Sequence, residues 1–373
     1  MQRIRFIDKM ASGKISRRAM LSQAAAFGVG ITVLPRLAKP AEVLTCLEWA
    51  GYDSPDYFKS FVGKHGGAPN FSIFTGEEDA LAKVLAGFKA DMMHPCNYSV
   101  NRFVNAKVAA EIDTSKLSNW KDLFPSLQTA SGVVMNGKVV MAPADWGNSS
   151  IAYRADLVDP DYLKNESWGI FYDDKYAGKV SMLDNEIAIT IGLMVEGVKY
   201  EEAAQVTGER LAAAAKNWGV KAVKNSRFLW NDPTELQQGL ASGEVVAGYA
   251  WNDVYRNLKR EGVKIAYAKP KEGYFTWFCG LTMLNTGKAD PALAYDFIDA
   301  WLSPETGKVL IEGSGYGHSN MKSFEAADKQ AITDMGITDP AEHMKQGILL
   351  IQVSDAVQTE WNKVWGDTKA LKQ

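Results

Sequence analysis

The stretch that decides the fold is residues 43–98, VLTCLEWAGYDSPDYFKSFVGKHGGAPNFSIFTGEEDALAKVLAGFKADMMHPCNY. It contains three short apolar runs of the kind that form strands. These runs are Val43–Trp49, Phe71–Phe74 and Met92–His94. Each interval between them places apolar residues at helical spacing and opens with capping residues, at Ser54-Pro55 and at Thr75–Glu78. This succession of strands and helices predicts a mostly parallel sheet flanked by helices.

The same alternation continues along the rest of the chain. The further strands that we predict are 179–183, 245–251, 263–267 and 276–284, and the further helices are 186–196, 201–217, 232–242, 291–302, 304–312 and 353–365. The polar stretch Lys269–Gly273 is expected to cross between domains. A length of 373 residues is typical of two domains. The sequence therefore predicts an α/β fold with two lobes, each an open, mostly parallel sheet that binds ligands at the carboxyl ends of its strands.

The first 41 residues differ from the rest in charge. They contain eight basic residues and one acid, which leaves 33 basic and 43 acidic residues, a net charge of −10, in residues 42–373. A net charge this negative disfavours binding to nucleic acid and favours binding to cationic partners. With 46% apolar and 23% charged residues, the composition also excludes a disordered chain and a polytopic membrane protein.

An export signal is predicted within those first residues. The pair Arg17-Arg18 precedes the apolar run Ala24–Leu34. A basic start before a short apolar run is typical of secretion, and paired arginines are typical of the twin-arginine route. The run is shorter than the roughly 20 residues that a bilayer-spanning helix needs. We therefore predict delivery to the periplasm by the twin-arginine export machinery, with cleavage between Leu37 and Glu42.

Residues that would indicate catalysis or a metal are scattered. The three cysteines, Cys46, Cys96 and Cys279, lie far apart, and an odd number leaves at least one thiol unpaired. The spacing implies no disulfide framework. The four histidines show no metal-binding pattern, and the chain has no phosphate-binding loop, dinucleotide fingerprint or nucleophile elbow. The sequence therefore predicts no enzyme, no cofactor and no metal.

Six aromatic residues stand where predicted strands end or between glycines. They are Trp49, Tyr52, Tyr98, Trp251, Trp277 and Tyr316. Any one of these rings, taken alone, is explained by core packing. Six rings that converge would form a box for an ammonium group, because each desolvated cation–π contact contributes up to about 2 kcal/mol.

Six short motifs add a resemblance to this pattern. They are Glu48–Tyr52, Pro95–Tyr98, Pro143–Gly147, Tyr249–Asn252, Pro270–Gly273 and Gly315–Asn320. In order and spacing they resemble the periplasmic spermidine/putrescine-binding components of ABC transporters, across essentially all of residues 42–373. The resemblance implies a two-lobed, hinge-closing fold, a ligand boxed by the six aromatic residues, and no catalysis. It also implies one lobe of residues 42–142 with 270–318 and a second of 143–269 with 319–373.

The chain departs from that family where carboxylates grip the amino groups. The acidic pair of the second lobe aligns with Asn185 and Ala188, and the acid after Trp277 is replaced by Cys279. Cys96 also aligns with a position that lines the pocket, and we read both cysteines as small apolar filler. A primary diamine buried without carboxylates would incur several kcal/mol of desolvation for each charge. The box is therefore expected to prefer a quaternary or bulky ammonium, or a zwitterion such as an ω-amino acid.

One surviving acid would suffice for such a ligand. We favour Asp145, beside Trp146, as that acid. Other acids that could face the cleft, and that also fit helix caps or solvated faces, are Glu48, Asp184, Glu186 and Asp253. Donors for the anionic end of a zwitterion are sought among Asn97, Asn148, Ser149, Asn185 and His318.

These observations predict the substrate-binding component of an importer. It would enclose a quaternary ammonium, an ω-amino acid or a polyamine-like ligand between its lobes and, as a monomer, deliver it to a membrane permease. Two alternatives remain open at this point. One is an exported enzyme that acts on a small amine, since twin-arginine cargo often folds around a cofactor. The other is a binding protein that serves a sensor.

Overall fold

The computed structural model describes residues 43–74, 76–335 and 338–371, so the predicted export signal lies outside the described residues. The strands are β1 Thr45–Trp49, β2 Asn70–Phe74, β3 Met92–Met93, β4 Val134–Met135, β5 Lys138–Val139, β6 Ala142–Arg154, β7 Val180–Leu183, β8 Ser226–Trp230, β9 Ala247–Trp251, β10 Ile265–Tyr267, β11 Phe275–Met283, β12 Gly317–His318 and β13 Ile348–Leu349. The α-helices are α1 Lys59–His65, α2 Glu77–Leu85, α3 Val100–Asn105, α4 Pro125–Gln128, α5 Ile187–Val195, α6 Tyr200–Ala203, α7 Gly208–Ala214, α8 Val220–Asn225, α9 Pro233–Ser242, α10 Asn252–Arg260, α11 Pro291–Trp301, α12 Pro304–Gly313, α13 Ser323–Ala326, α14 Lys329–Met335, α15 Pro340–Gln346 and α16 Asp355–Ala370. In this described part of the chain, no helix is both long enough and apolar enough to cross a membrane.

Two groups of parallel strands form the two sides of the molecule. Strand β1 pairs in parallel with β2 and β3, and β7 pairs in parallel with β8 and β9. The long strands β6 and β11 join the groups through antiparallel pairing, which gives the order β2-β1-β3-β11-β6-β9-β7-β8. The two-lobed α/β fold is therefore confirmed. The two sheets that we expected share hydrogen bonds through β6 and β11 instead of standing apart.

Strand β6 was not predicted from the sequence. Its 13 residues include Pro143 and Gly147, which normally argue against a central strand. The pairing between β6 and β11 shifts register at Cys279/Gly280, opposite Pro143, as at a β-bulge. A Cβ on Gly147 would lie 2.8 Å from the Trp277 ring, so only glycine fits there. Close packing at the junction of the two sides thus explains both unusual residues.

Each side of the molecule has its own hydrophobic core. The larger core lies around β7, β8 and β9 and includes the fully buried Trp168, Trp230 and Phe275. A second core lies around β1 and β3 and includes Phe58, Phe297 and Trp301, which are also fully buried. Burial of such a side chain contributes about 1.5–3 kcal/mol. Trp251 and Leu350 pack against both cores, at the boundary between the sides.

Most predicted helices form, with one correction. Helix α9 begins after Asp232, whose side chain accepts a hydrogen bond from the Thr234 N–H, and ends at Gly243 with φ of +79°. The predicted single helix over 201–217 is wrong. It is split into α6 and α7 because Thr207 is extended and Gly208 has φ of +60°. A π-helical segment, Ala215–Gly219, then connects α7 to α8.

Candidate functional site

A cavity of about 590 Å³ opens between the two sides of the molecule. Its walls come from segments that follow β1, β3, β7, β8 and β9 and from the middle of β11. Parallel strands β1 and β3 on one side, and β7 to β9 on the other, thus direct their carboxyl ends into the same space. This is the place where open α/β sheets bind ligands.

Nine of the ten side chains predicted to bind ligand lie in the cavity wall. They are Trp49, Tyr52, Cys96, Tyr98, Asn185, Trp251, Trp277, Cys279 and Tyr316. The tenth, Asp145, is only 1% exposed and lies beneath that wall, where it accepts a hydrogen bond from the Tyr52 hydroxyl. Asp145 is on β6, and the pleat directs its side chain into the protein interior. A binding role for each of these residues stays a prediction.

The first of two regions of the wall is the aromatic patch, which we define as Trp49, Tyr52, Tyr57, Trp251, Asp253, Trp277 and Tyr316. The Trp49 and Trp251 rings, from opposite sides of the molecule, meet edge to face with 6.1 Å between centroids. The Tyr316 ring stacks near Tyr52 at 6.5 Å and meets Trp277 edge to face at 5.2 Å. Five of the six predicted rings therefore lie together in this patch, and tilted contacts of this kind fix their orientation.

Two of the three indole N–H groups of the patch are bonded within the protein. The Trp49 Nε1–H donates to the His94 carbonyl oxygen at 2.8 Å, and the Trp277 Nε1–H donates to Ser149 Oγ at 3.1 Å. With these two donors satisfied, the Trp49 and Trp277 rings offer π-faces and edges to the cavity, and not hydrogen bonds. Such walls suit a cation that carries few N–H groups.

Asp253 is the acid of the aromatic patch. It is the second residue of α10, lines the cavity, and accepts hydrogen bonds from the Tyr316 hydroxyl and the Val254 N–H, while its Oδ1 is covered and has no hydrogen-bond partner. Burial raises the pKa of Asp253 to about 6, so the carboxyl is mostly ionised at neutral pH. Across the described residues, no Lys, Arg or His forms a salt bridge with it. A buried acceptor that is left unpartnered in a cavity wall marks a place for a donor or a cation.

The second region of the wall is the polar patch, which we define as Glu77, Tyr98, Ser99, Glu186 and Gln358. The Ser99 hydroxyl and the Cys96 N–H both donate to Glu77 Oε1, at 2.6 Å and 3.1 Å. Burial raises the pKa of Glu77, and these two hydrogen bonds oppose the shift. The Gln358 amide donates to Glu186 Oε1 at 2.7 Å. Both carboxylates of this patch therefore have protein donors.

Two further acids at the cavity are neutralised by basic side chains. Lys369 Nζ lies 2.7 Å from Asp184 Oδ1, and Arg102 forms a salt bridge with Glu78. Of the donors proposed for an anionic ligand group, Ser149 and Asn185 line the cavity. The other three, Asn97, Asn148 and His318, are not among the lining residues. No group of three or more His, Cys, Asp or Glu side chains in the described ranges is arranged to hold a metal.

Cys96 and Cys279 form a disulfide in the cavity wall, which corrects their interpretation as filler and the expectation of no disulfide. They are 183 residues apart in sequence, and the antiparallel approach of β11 to the segment after β3 brings them together. That approach depends on the whole sheet, so spacing alone gave no signal. Cys46 is free and buried. The disulfide places apolar sulfur where the resemblance places an acid at position 279.

A buried group of charges lies directly beneath the aromatic patch. His94 Nδ1 is 2.8 Å from Glu48 Oε1, and His94 Nε2 is 3.1 Å from Asp145 Oδ1. Burial lowers the pKa of His94, but the two carboxylates outweigh it and raise that pKa to about 10. Burial raises the pKa of Glu48. The scattered positions of the histidines along the chain gave no indication of this group.

Comparisons with known proteins agree with this architecture. The model of the family described as bacterial extracellular solute-binding protein matches residues 57–339. The spermidine/putrescine-binding periplasmic protein of Escherichia coli K12 is 25% identical over 338 residues, which cover 90% of this chain and 92% of the relative.

Two solved structures share the fold at lower identity. The spermidine/putrescine ABC transporter substrate-binding protein PotD of Streptococcus pneumoniae is 19% identical with a TM-score of 0.67, over 89% of this chain and 100% of that chain. The periplasmic binding protein MotA of A. tumefaciens B6, in complex with glucopine, is 15% identical with a TM-score of 0.69, over 88% and 99%. The two names point to different ligands, so the fold alone does not determine the ligand.

Proposed function

The chain belongs to the bacterial extracellular solute-binding proteins, and on that premise we propose that it is the binding component of an ABC importer for a small cationic or zwitterionic amine. The relatives named for spermidine and putrescine support the amine, and the aromatic patch supplies walls that suit an ammonium group. Membership in a family of solute-binding proteins favours transport over an exported enzyme.

The observation that carries the proposal is the unpartnered carboxylate oxygen of Asp253 among the rings of the aromatic patch. A covered carboxylate oxygen that lacks a partner destabilises the protein by about 1–3 kcal/mol. A ligand ammonium that reaches this carboxylate would remove that penalty and would gain cation–π contacts with the surrounding rings. The Tyr316 hydroxyl, bonded to the same carboxylate, would fix its orientation.

The wall favours a ligand with one ammonium group over a primary diamine. The disulfide occupies the position of one expected acid, and the carboxylates of the polar patch already accept hydrogen bonds from the protein. A second primary ammonium would therefore meet fewer free acceptors. A quaternary ammonium or an ω-amino acid fits this arrangement better than a polyamine does.

Binding would close the two lobes around the ligand. We propose that the lobes are 42–142 with 270–318 and 143–269 with 319–373, and that the antiparallel pairing of β6 with β11 supports a hinge between them. Because Trp49 and Trp251 come from opposite sides of the molecule, a ligand that contacts both rings favours the closed form. We propose export to the periplasm by the twin-arginine machinery, a monomeric state, and release of the ligand at a membrane permease.

The test is a thermal-shift and calorimetric screen of the purified protein with choline, glycine betaine, 4-aminobutyrate, putrescine and spermidine. A true ligand at 100 times its dissociation constant adds about 2.7 kcal/mol of stability. We expect at least one compound with a single ammonium group to bind more tightly than both polyamines. Binding of none of the five, or chemical turnover of any of them, would overturn the proposal.

A further inference from the structure

Three ionisable side chains are buried together behind the aromatic patch. Glu48 and His94 are 0% exposed and Asp145 is 1% exposed. They come from the end of β1, the segment after β3 and the first half of β6, so the sheet brings them together. We call this group the buried triad.

The hydrogen bonds of the buried triad require two protons in its two contacts. Each ring nitrogen of His94 faces a carboxylate oxygen, and an ionised carboxylate only accepts hydrogen bonds. Two protons must therefore lie in these two contacts, on the ring or on a carboxyl group. Asp145 Oδ2 accepts from the Tyr52 hydroxyl, and a proton on Glu48 Oε2 would have no acceptor, so we place no third proton on these oxygens. With two protons shared among one imidazole and two carboxylates, the net charge is −1.

This negative charge has no basic partner beyond His94 itself. Within the described ranges, neither Glu48 nor Asp145 forms a salt bridge with Lys or Arg, and Glu48 Oε2 has no hydrogen-bond partner. An uncompensated buried charge is strongly destabilising. A protein that keeps one beside a ligand cavity gains when a cation enters that cavity.

The buried triad is bonded directly to two residues of the cavity wall. The Tyr52 hydroxyl donates to Asp145 Oδ2 at 2.6 Å, and the Tyr52 ring lies 5.2 Å from the His94 ring between centroids. The Trp49 N–H donates to Glu48 Oε1 at 2.9 Å. The Tyr52 side chain thus separates the charge from the surface that a ligand would contact.

We propose that Glu48, His94 and Asp145 are specificity-determining residues, which hold one negative charge behind Trp49 and Tyr52 and so select a cationic headgroup without touching it. The inference rests on the proposed function, because it assumes that this cavity binds the amine. It goes further in assigning part of the charge selection to groups outside the cavity wall. Tyr52 and Trp49 separate the buried triad from the ligand. The residues of the buried triad are therefore positioning residues.

The test neutralises the buried triad and compares charged with neutral probes. The Glu48→Gln/Asp145→Asn double variant leaves a net charge of 0 or +1, while the amide oxygen introduced by the second substitution can still accept from Tyr52. The probes are choline, putrescine and 4-aminobutyrate, with 3,3-dimethylbutan-1-ol as the neutral isostere of choline, measured by calorimetry. For each cation that binds the wild type, we expect affinity to fall about tenfold or more, the order for a unit charge at this range with an effective dielectric constant of about 20. Affinity for the neutral isostere should stay the same.

The matched control is Asp91→Asn, which neutralises another buried carboxylate on the same side of the molecule. Asp91 accepts hydrogen bonds from the Thr45 and Ala289 N–H groups and does not line the cavity. This control should lower the melting temperature and leave cation affinity unchanged. If the double variant binds cations as tightly as the wild type, the inference is overturned and the proposed function stands. If no probe binds the wild type, the proposed function itself fails.

A ligand-free measurement covers the case in which the double variant does not fold. Nitrogen and carbon NMR of the wild type at neutral pH can count the protons on the His94 ring and on the carboxyl groups of Glu48 and Asp145. We expect two protons in total. A count of three would make the buried triad neutral and would overturn the inference.

Discussion

The aromatic patch and the polar patch of the same cavity contain carboxylates in different states. In the polar patch, Glu77 accepts two hydrogen bonds from the protein and Glu186 accepts one. In the aromatic patch, Asp253 accepts from the Tyr316 hydroxyl and the Val254 N–H, and its covered Oδ1 still has no partner. The comparison teaches that a binding position is marked by a covered carboxylate oxygen that has no hydrogen-bond partner, and not by the number of acids nearby.

The same comparison separates stability from function. Acids whose hydrogen bonds are satisfied stabilise the ligand-free protein and have little to offer a ligand. An acid with an unpartnered oxygen lowers the free energy of unfolding of the ligand-free protein. A ligand that pairs with this oxygen regains that stability. The three predictions below test whether the aromatic patch, and not the polar patch, holds the charged headgroup.

The largest effect is expected from removing a ring of the aromatic patch. Trp251→Ala and Trp277→Ala should each weaken binding of the best amine from the screen about a hundredfold or more. Each removes a π-face whose desolvated cation contact contributes up to about 2 kcal/mol and also opens the wall to water. Calorimetric titration measures the loss.

The control for both variants is Trp218→Ala, a tryptophan that bonds Glu196 and does not line the cavity. It should reduce the melting temperature without changing affinity. Circular dichroism should show that all three variants fold. Full affinity in both Trp251→Ala and Trp277→Ala would show that the aromatic patch does not hold the ligand.

The sequence predicted the aromatic patch because it depends on a rule of local structure. Trp49 and Trp251 are the last residues of β1 and β9, and open α/β sheets bind ligands at the carboxyl ends of their strands. The resemblance to the spermidine/putrescine-binding components then implied that these rings would meet. The same reasoning located the cavity and the two-lobed fold.

The acids could not be assigned in the same way. Asp145 and Asp253 both lie within two residues of a tryptophan, and only the register of β6 and the start of α10 decide that the first is buried and the second lines the cavity. The Cys96–Cys279 disulfide and the buried triad depend on contacts between segments that are far apart in the chain. Such contacts follow from the complete sheet and leave no periodic signal.

The second effect tests the acid of the aromatic patch. Asp253→Asn should weaken binding of a cationic amine about tenfold, because it removes the unpartnered carboxylate. Since the pKa of Asp253 is about 6, wild-type affinity should also fall as the pH drops below 6 and the carboxyl becomes protonated. Titrations between about pH 5 and pH 8 measure both effects, and the variant should lose this pH dependence.

Stability should respond in the opposite direction. The pKa of about 6 in the folded protein lies above the usual value for Asp, so the folded state holds this proton more tightly than the unfolded state does. The contribution of Asp253 to ligand-free stability therefore decreases as the pH rises through about 4 to 6. Asp253→Asn should raise the melting temperature of the ligand-free protein at neutral pH. Glu186→Gln in the polar patch is the matched control, and an equal loss of affinity there would contradict the distinction between the patches.

The smallest effect concerns the disulfide that lies in the wall. The Cys96→Ser/Cys279→Asp double variant replaces apolar sulfur with a carboxylate, so affinity for putrescine should rise about three- to fivefold as a second ammonium gains a partner. Loss of the disulfide destabilises the protein by about 2–4 kcal/mol, so the comparison is made against Cys96→Ser/Cys279→Ser, which loses the same bond and adds no charge. Calorimetry at a temperature well below both melting points measures the difference between the two variants. Equal putrescine affinity in the two would mean that position 279 does not face the second ammonium, and that the preference for one ammonium group has its origin elsewhere in the wall.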